Sequence, residues 1–272
     1  MLSAVIITKN EACNIEDCLK SLFWIDDIHV IDSGSTDKTL EIAERMGAKV
    51  HRKAFSTYAE QHNWAHREAD LKYGWVLHMD ADERSTPAFQ KAILDALKDA
   101  PPSRMAYYCC WKLMMGKHWL KYSDGFPRWQ LRLVRKELEP YIEFGHAQKE
   151  KAFDDTTLGY IQAPYLHFPW NKGWAHWLDR HNTYSTKEAL ERLNYPFKWK
   201  QLRSLHPSKR IFALKVAVSR LGLAWPFLRF LYAYILRGGI LDGYAGLIYL
   251  LSISYYELCI ALKMKEAKNR TH

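Results

Sequence analysis

Short apolar runs alternate with amphipathic segments over the first hundred residues. The apolar runs are rich in β-branched residues, which is typical of strands buried in a parallel sheet: Ser3–Thr8, Asp27–Asp32, Ala48–His51 and Gly74–Met79. The other segments carry apolar residues at helical spacing: Ile15–Leu22, Lys38–Met46, Tyr58–Ala69 and Phe89–Leu97. This alternation predicts an α/β fold with a mostly parallel, Rossmann-like sheet flanked by helices.

The alternation ends at Pro101-Pro102. Beyond it, two strands are predicted at Met105–Leu113 and Arg128–Arg135, with a loop at Lys117–Pro127 between them. A helix is predicted at Trp174–Leu193.

Residues 196–272 differ from the rest of the chain in charge. They hold 13 Lys/Arg and 3 Asp/Glu, whereas residues 1–195 hold 26 and 27, and the net charge of the chain is +9. Two domains are therefore predicted, a catalytic domain at 1–195 and a basic, apolar, helical region at 196–272. A basic excess of this kind suits anionic lipid headgroups or nucleic acid.

Single charges interrupt the apolar runs of this C-terminal region. The longest uncharged run, Gly243–Tyr256, has 14 residues, whereas a bilayer span takes about 20. The region also contains many tyrosines and Trp225. Tyrosine and tryptophan are enriched at the level of the lipid headgroups in membrane proteins. We therefore expect interfacial or re-entrant helices that associate with a membrane. The alternative is a helical pair packed on the catalytic domain or on a second subunit.

Two carboxylates, Asp80 and Asp82, directly follow the fourth predicted strand. Ligands of open α/β sheets bind beyond the carboxyl ends of the strands. Acidic residues at this spacing on an irregular segment can share Mg²⁺ or Mn²⁺, which prefer oxygen ligands and keep positions open for a diphosphate. The sequence thus predicts a divalent-cation site here. Solvated or capping carboxylates are the alternative interpretation.

Further polar residues are predicted at the same edge of the sheet. Asp32 ends the second strand, and Thr8, Asn10 and Glu11 stand at the end of the first. Helix capping is the alternative role for Asp32. Neither glycine-rich phosphate-binding pattern occurs in the sequence, so a diphosphate would be held by metal and side chains.

Three segments resemble the signature blocks of family 2 glycosyltransferases in order and spacing: Val5–Glu11, Val30–Thr39 and Leu77–Glu83. The resemblance is strongest to the bacterial branch that builds lipopolysaccharide core and other envelope polysaccharides, which includes a β-1,4-glucosyltransferase. Gln61–Ala65 and Arg237–Gly243 are also similar to that branch. The resemblance implies a GT-A fold and an inverting transfer of a sugar from a nucleotide-sugar donor, most often a uridine diphosphate (UDP) sugar.

The resemblance also implies roles for single residues by matching position. Asp80 would contact the nucleotide sugar, and Asp82, with Asp80 beside it, would bind the divalent cation. The base and ribose of the nucleotide would be held by Thr8, Asn10, Glu11, Asp32 and Ser33.

An inverting transfer needs a carboxylate base that takes the proton of the acceptor hydroxyl. Many relatives have His directly followed by this Glu, whereas here three residues separate His146 from Glu150. Glu150 is the first candidate for the base and Asp124 is the second. Arg132, on the strand before them, is a candidate for a diphosphate contact or a solvated strand edge. The aromatic segment His167–Trp174 is a candidate acceptor wall, donor lid or packing segment.

The expected acceptor is a lipid-linked glycan or lipopolysaccharide core at the cytoplasmic face of the inner membrane, and no oligomeric state is indicated. Polyprenyl phosphate is an alternative acceptor, because its glycosyltransferases resemble the same blocks. A basic nucleic-acid-binding protein is an alternative of another class. No nucleic acid is expected as a partner, because the basic residues are interleaved with aliphatic runs. No signal peptide is expected, because the first strand begins at Ser3.

Overall fold

The computed structural model describes residues 1–144, 147–150, 153–197, 199 and 207–270, and for 143, 144, 147–150, 207–212 and 270 it describes the backbone alone. The chain forms two compact units. The first contains Met1–Trp119 and Phe126–Lys172, and the second contains Leu120–Gly125 and Gly173–His272.

The first unit is built on a sheet whose first half is parallel. Its strands β1 to β4 are Ser3–Thr8, Asp27–Asp32, Lys49–Arg52 and Trp75–Asp80, in the spatial order β3-β2-β1-β4. Thr8 pairs with Asp32, and Ile7 pairs with Asp80. The register therefore brings the predicted polar strand ends to one edge of the sheet.

The second half of the sheet is mixed, so the sheet as a whole is less parallel than the sequence predicts. It contains β5 (Glu83–Arg84), β6 (Ala106–Met115), β7 (His118–Trp119), β8 (Trp129–Arg135) and β11 (Leu158–His167). The order continues from β4 as β8-β6-β11-β5, and β7 pairs with β6. β8 is antiparallel to both of its neighbours, whereas β11 is parallel to β6.

The sequence pattern does not predict β11. Gly159 and Pro164 interrupt its alternation of apolar and polar residues. Its pairing with β6 also shifts register between Ile161 and Tyr165. A separate antiparallel pair, β9 (Tyr141–Phe144) and β10 (Ala147–Glu150), precedes it along the chain.

Helices cover both faces of the sheet. They are α1 (Ile15–Ser21), α2 (Thr39–Arg45), α3 (Tyr58–Glu68) and α4 (Pro87–Lys98). Successive side chains of β1 point to opposite faces. Ile6 packs in a core cluster with Leu19 of α1 and Phe89 of α4, whereas Val5 belongs to a second cluster with Ala65 of α3. The strands β1, β2 and β4 are therefore buried on both sides, as their apolar composition predicts. The third strand was predicted to be buried as well, but β3 lies at the edge of the sheet and its first and last residues are exposed.

The second unit is helical. It contains α5 (Lys121–Asp124), α6 (Gly173–Asn194), α7 (Pro207–Ser219), α8 (Ala224–Leu231) and α9 (Gly243–Arg270). A π-helical turn at Tyr232–Leu236 and a 3₁₀ turn at Gly239–Asp242 join α8 to α9. The predicted division after residue 195 assigns α6 to the catalytic domain, whereas its contacts group it with the other helices of this unit.

A buried ion-pair network holds the long helices of the second unit together. Arg192 of α6 lies 2.8 Å from Glu257 of α9 and 3.0 Å from Glu188 of α6. Arg229 of α8 lies 2.9 Å from Glu257, and Lys215 of α7 lies 3.3 Å from Glu188. Each buried carboxylate thus has cations from more than one helix.

One stretch of the described chain, Gly239–Asn269, is helical, long and apolar enough to cross a membrane by length and composition. Within the protein, 28% of its apolar window is buried. Length and composition do not decide between a span and the interfacial arrangement expected from the sequence, because core helices pass the same criterion.

Candidate active site

Three strand ends form the floor of the candidate site. Thr8 and Asp32 are neighbours across β1 and β2, and Asp80 lies on the other side of β1. The Thr8 hydroxyl donates to Asp32 at 3.3 Å. Thr8, Asp32 and Asp80 thus meet at the carboxyl edge, where ligands of open α/β sheets bind.

Asp32 organises the loop that follows β2. One carboxylate oxygen accepts the backbone N–H groups of Gly34 and Ser35, each at 2.9 Å. The other accepts the hydroxyls of Thr8 and Ser35. Since a carboxylate offers about four acceptor positions, a nucleotide N–H would have to replace one of these groups. The neighbouring Ser33 donates its backbone N–H to Thr8 at 2.9 Å.

Asn10 joins the loops that follow β1 and β2. Its φ angle of 54° is left-handed, a region in which asparagine is more frequent than most residues. Its side-chain oxygen accepts the Thr36 N–H at 2.7 Å, and its own N–H donates to Ser35 at 2.8 Å. Glu11 donates its backbone N–H to Thr39 at 2.7 Å. The two predicted nucleotide-binding loops are therefore one hydrogen-bonded surface.

Asp80 is held by Arg132, whose side chain is buried rather than at a solvated strand edge. The guanidinium lies 2.7 Å from Asp80 and 2.5 Å from Glu83. Glu83 in turn accepts the backbone N–H of Asp80 at 2.8 Å. Burial opposes the charged carboxylate of Asp80, but Arg132 outweighs it and holds the pKa of Asp80 below its ordinary value. Arg132 therefore holds the acidic turn, Asp80–Glu83, in place from its buried side.

Asp82 lies beside His167, the last residue of β11. Its Oδ2 atom and Nε2 of His167 are 3.5 Å apart, and the two side chains are 18% and 26% exposed. Burial disfavours the imidazolium, but Asp82 and Glu83 outweigh it and raise the pKa of His167. Sequence reasoning did not single out His167 as a partner of Asp82, because β11 was not predicted.

Asp82 and His167 suit a divalent cation. Their 3.5 Å separation is longer than a good hydrogen bond and close to the spacing of about 3 Å between neighbouring ligands of one octahedral ion. An imidazole ligand suits a transition metal such as Mn²⁺ better than Mg²⁺. The described residues contain no group of three or more His, Cys, Asp and Glu arranged as a metal site. Further ligands would therefore come from a diphosphate and water.

Glu11 adds another carboxylate to this edge. It accepts from Asn14 at 2.9 Å and lies 2.5 Å from Lys172. Burial raises the pKa of Glu11, with a smaller contribution from Asp82, against the lowering effect of Asn14 and Lys172. A group whose charge is disfavoured in this way is typical of a site built for a cation or for proton exchange.

Residues His167–Lys172 close against the loops that follow β1 and β4. The backbone N–H of Phe168 donates to the carbonyl of Asp82 at 2.8 Å. Asn171 donates to Asn14 at 2.8 Å, and Lys172 donates to the carbonyl of Lys9 at 3.1 Å. This part of the predicted wall or lid segment therefore borders the site on the side of Asp82.

A chain of three histidines runs beneath the site. His66 lies 2.9 Å from the carbonyl of Lys136 and 2.8 Å from His78, and His78 lies 2.8 Å from His62. Because a carbonyl only accepts, His66 donates to it, His78 donates to His66, and His62 donates to His78. This leaves Nε2 of His62 as a buried acceptor with no partner among the described residues. Burial lowers the pKa of His62 to about 3 and also lowers that of His66.

The structure does not test the two predicted base candidates. The backbone of Glu150 pairs with Tyr141 in the β9–β10 ladder, but its side chain and the whole of His146 lie outside the described residues. Asp124 belongs to the second unit, where it is 8% exposed and accepts from the hydroxyl of Tyr249 at 3.0 Å. Both assignments stay predictions.

Comparison with known proteins identifies the family. A family model described as glycosyl transferase family 2 matches residues 3–155. Uncharacterized glycosyltransferases of Rickettsia bellii and Rickettsia felis are 46% and 43% identical over 93 residues, which is 34% of this chain and 31% and 32% of theirs. The match thus spans about a third of the length of these relatives.

A solved structure is also similar in part. It is glucosyl-3-phosphoglycerate synthase from Mycobacterium tuberculosis, in complex with Mn²⁺, UDP and glucosyl-3-phosphoglycerate, with 19% identity and a TM-score of 0.37 over 50% of this chain and 56% of that chain. The α/β fold described above is GT-A-like, with a mixed sheet flanked by helices. Since the family model covers more than half of the sequence, the chain belongs to glycosyl transferase family 2.

Proposed function

We propose that this protein is an inverting, metal-dependent glycosyltransferase that takes a sugar from a nucleotide-sugar donor, with uridine diphosphate as the nucleotide. The observation that carries the proposal is the meeting of Asp82, His167, Asp80 and Glu11 at the carboxyl edge of the sheet. Family membership supports the reaction class.

A preformed, hydrogen-bonded surface for the nucleoside part of the donor lies beside this cluster. The loops after β1 and β2 present Asn10 and Ser35, and Asp32 holds the second loop in place. Thr8 and Ser33 lie beneath them. We assign this surface to the base and ribose, since it carries donors and acceptors next to the acidic turn.

The diphosphate is assigned to the space in front of Asp82. Asp82 and His167 would hold the divalent cation, with Asp80 beside them. A cation held there would neutralise the negative charge that develops on the leaving diphosphate. Arg132 keeps Asp80 ionised and fixed, so the turn does not have to reorganise when the donor binds.

The acceptor hydroxyl must lose its proton to a carboxylate as it attacks the anomeric carbon. We assign this role to Glu150, which the family pattern favours, and keep Asp124 as the alternative. Glu150→Gln would lower turnover by about 100-fold or more at unchanged affinity for the donor, because general bases contribute about 10² to 10⁴ in rate. If Asp124→Asn lowered turnover in this way and Glu150→Gln did not, Asp124 would be the base instead of Glu150.

The acceptor is assigned as a lipid-linked glycan or lipopolysaccharide core at the cytoplasmic face of the inner membrane. The basic excess of residues 196–272 and the exposed apolar side chains of that region support a membrane location. Mass spectrometry of the product tests this assignment. An extended saccharide would support it, whereas a single sugar on polyprenyl phosphate would replace it.

Release of UDP from a panel of UDP-sugars tests the reaction itself. We expect release with Mn²⁺, none with a chelator, and a loss of about 100-fold in Asp82→Asn. Asp95→Asn, which changes an exposed carboxylate on α4, is the matched control and should leave the rate unchanged. Full activity in the chelator and in Asp82→Asn would contradict the proposal.

A further inference from the structure

The second unit exposes many large apolar side chains between α8 and α9. Phe227, Leu236 and Tyr244 are 76%, 78% and 78% exposed. The intervening exposed apolar residues are Leu228, Leu231, Tyr232, Ile235, Ile240 and Leu241. We call this set, from Phe227 to Tyr244, the apolar corner. An exposed apolar surface of this size marks a site of interaction with a partner or a membrane.

The exposed surface continues along one face of α9. Its members are Tyr244, Leu251, Tyr255, Leu258 and Leu262, which are spaced by seven, four, three and four residues and so share a helix face. The opposite face is buried and includes Tyr249, Glu257, Ile260 and Met264. α9 is therefore held to its unit along one side and presents an apolar stripe on the other.

The charge around this surface favours an anionic partner. Residues 207–270 contain ten Lys/Arg and three Asp/Glu. Two of the three carboxylates are used inside the unit: Glu257 pairs with Arg192 and Arg229, and Asp242 accepts backbone N–H groups. Arg220 and Lys268 are exposed cations that line one cavity with Leu223 near the C-terminal end of α9. Basic and apolar groups together are typical of helices that lie in the interface of an anionic membrane.

We propose that the second unit rests flat on an anionic membrane, with the apolar corner and the α9 stripe in the headgroup boundary, and that α9 does not cross the bilayer. The polar helix α6 accompanies the C-terminal half of α9. Lys263 donates to Asn182 and Ser185, and Arg192 pairs with Glu257. A span would carry the exposed polar side chains of α6 into hydrocarbon, where they cannot be solvated.

The part of α9 without this polar neighbour is too short to cross. It runs from residue 243 to about residue 255, which is about 20 Å of helix, whereas the hydrocarbon core is about 30 Å thick. An in-plane helix satisfies both observations, because its stripe enters the interface while α6 stays in water.

The apolar corner also holds the segment that carries Asp124. Asp242 accepts the backbone N–H groups of Tyr122 and Ser123 at 3.0 and 2.7 Å. Gly125 packs against the guanidinium of Arg237, and its φ angle of 78° lies in the left-handed region that favours glycine. The motif Arg237–Gly243 thus fastens Leu120–Gly125 to the membrane-facing helices. If the proposed function holds, the membrane then sets the position of the segment that carries the alternative base, Asp124.

Flotation of the full chain with vesicles tests the proposal without any donor or acceptor, so its outcome is independent of the proposed reaction. We expect binding to phosphatidylglycerol-containing vesicles and a loss of about tenfold or more in the double variant Phe227→Glu/Leu236→Glu, which removes two apolar contacts and adds two like charges. Phe23→Glu, at a residue of the first unit that is 65% exposed, is the matched control. Unchanged binding in the double variant would overturn the proposal.

Topology is tested with a membrane-impermeant maleimide on membranes from cells expressing the chain. In a Cys13→Ser/Cys259→Ala background, in which the remaining cysteines are buried, Ile240→Cys and Asn269→Cys each place one accessible thiol, just before α9 and near its end. Both should label in inverted vesicles and neither in spheroplasts. Labelling of one thiol from each side would show a span and overturn the flat arrangement.

Discussion

Arg132 shows how one buried cation fixes the acidic turn after β4. Its guanidinium contacts both Asp80 and Glu83, and only Asp80 of these three side chains reaches solvent. Burial raises the pKa of Glu83 to about 7, against the lowering effect of Arg132. Both carboxylates therefore depend on this arginine for their charged form.

Removal of Arg132 should destabilise the fold. Arg132→Met leaves Glu83 buried without its cation, and breaking a buried pair from one side costs about 3–5 kcal/mol. The free energy of unfolding from urea titration measures this loss. Arg135→Met on the same strand, at a side chain that is only partly buried, is the control and should cost less. Equal losses in the two variants would contradict the role of Arg132.

The histidine chain should make stability depend on pH. The pKa of His62 is about 3 in the folded protein and about 6.5 in an unfolded chain. Between these values the unfolded state binds the extra proton, so stability is present above about pH 6.5 and is lost as the pH falls. The loss from His62 alone is about 2 kcal/mol by pH 5.

Unfolding of wild type and His62→Gln at pH 7 and pH 5 measures this contribution. Glu83, whose pKa is raised, changes stability in the opposite direction, and the difference between the two proteins removes its effect. His118→Gln, at an exposed histidine, is the control and should keep the wild-type slope. An identical slope in His62→Gln would show that His62 does not stay neutral in the fold.

Elements with local signals were predictable from the sequence. The strands β1 to β4 and helices α1 to α4 follow from apolar runs and helical spacing that each segment carries in itself. β11 was not predictable, because its identity as a strand comes from pairing with β6, about fifty residues earlier, through an irregular register. His167 is the last residue of β11, so the sequence did not predict it as the partner of Asp82 in the proposed metal site for the same reason.

The N-terminus of α4 illustrates a local signal with a measurable effect. Thr86 accepts the backbone N–H of Phe89 at 3.1 Å and donates to the carbonyl of Pro164 in β11 at 3.1 Å. Thr86→Ala should cost about 1–2 kcal/mol, and Thr86→Ser should restore most of it. Denaturant unfolding measures both changes. An alanine variant as stable as wild type would contradict the capping role.

At the scale of the whole molecule, charge composition and residue contacts divide the chain at different residues. The charge count separates near-neutral residues 1–195 from basic residues 196–272. The contacts instead group α6 and Leu120–Gly125 with the helices α7 to α9 of the second unit. A charge count cannot predict these contacts. They are made by Asp242 and Arg192, whose partners Ser123 and Glu257 are distant in sequence. The Glu150 assignment came from a family pattern and is still to be tested by substitution.

Calorimetric titration of UDP in the presence and absence of Mn²⁺ tests the central claim most directly. Wild type should bind UDP tightly only with Mn²⁺. Asp82→Asn should lose the metal-dependent part of the affinity, and Asp95→Asn should keep it. Equal UDP affinity with and without Mn²⁺, or an Asp82→Asn protein that binds like wild type, would contradict a cation-held diphosphate at the carboxyl edge of this sheet.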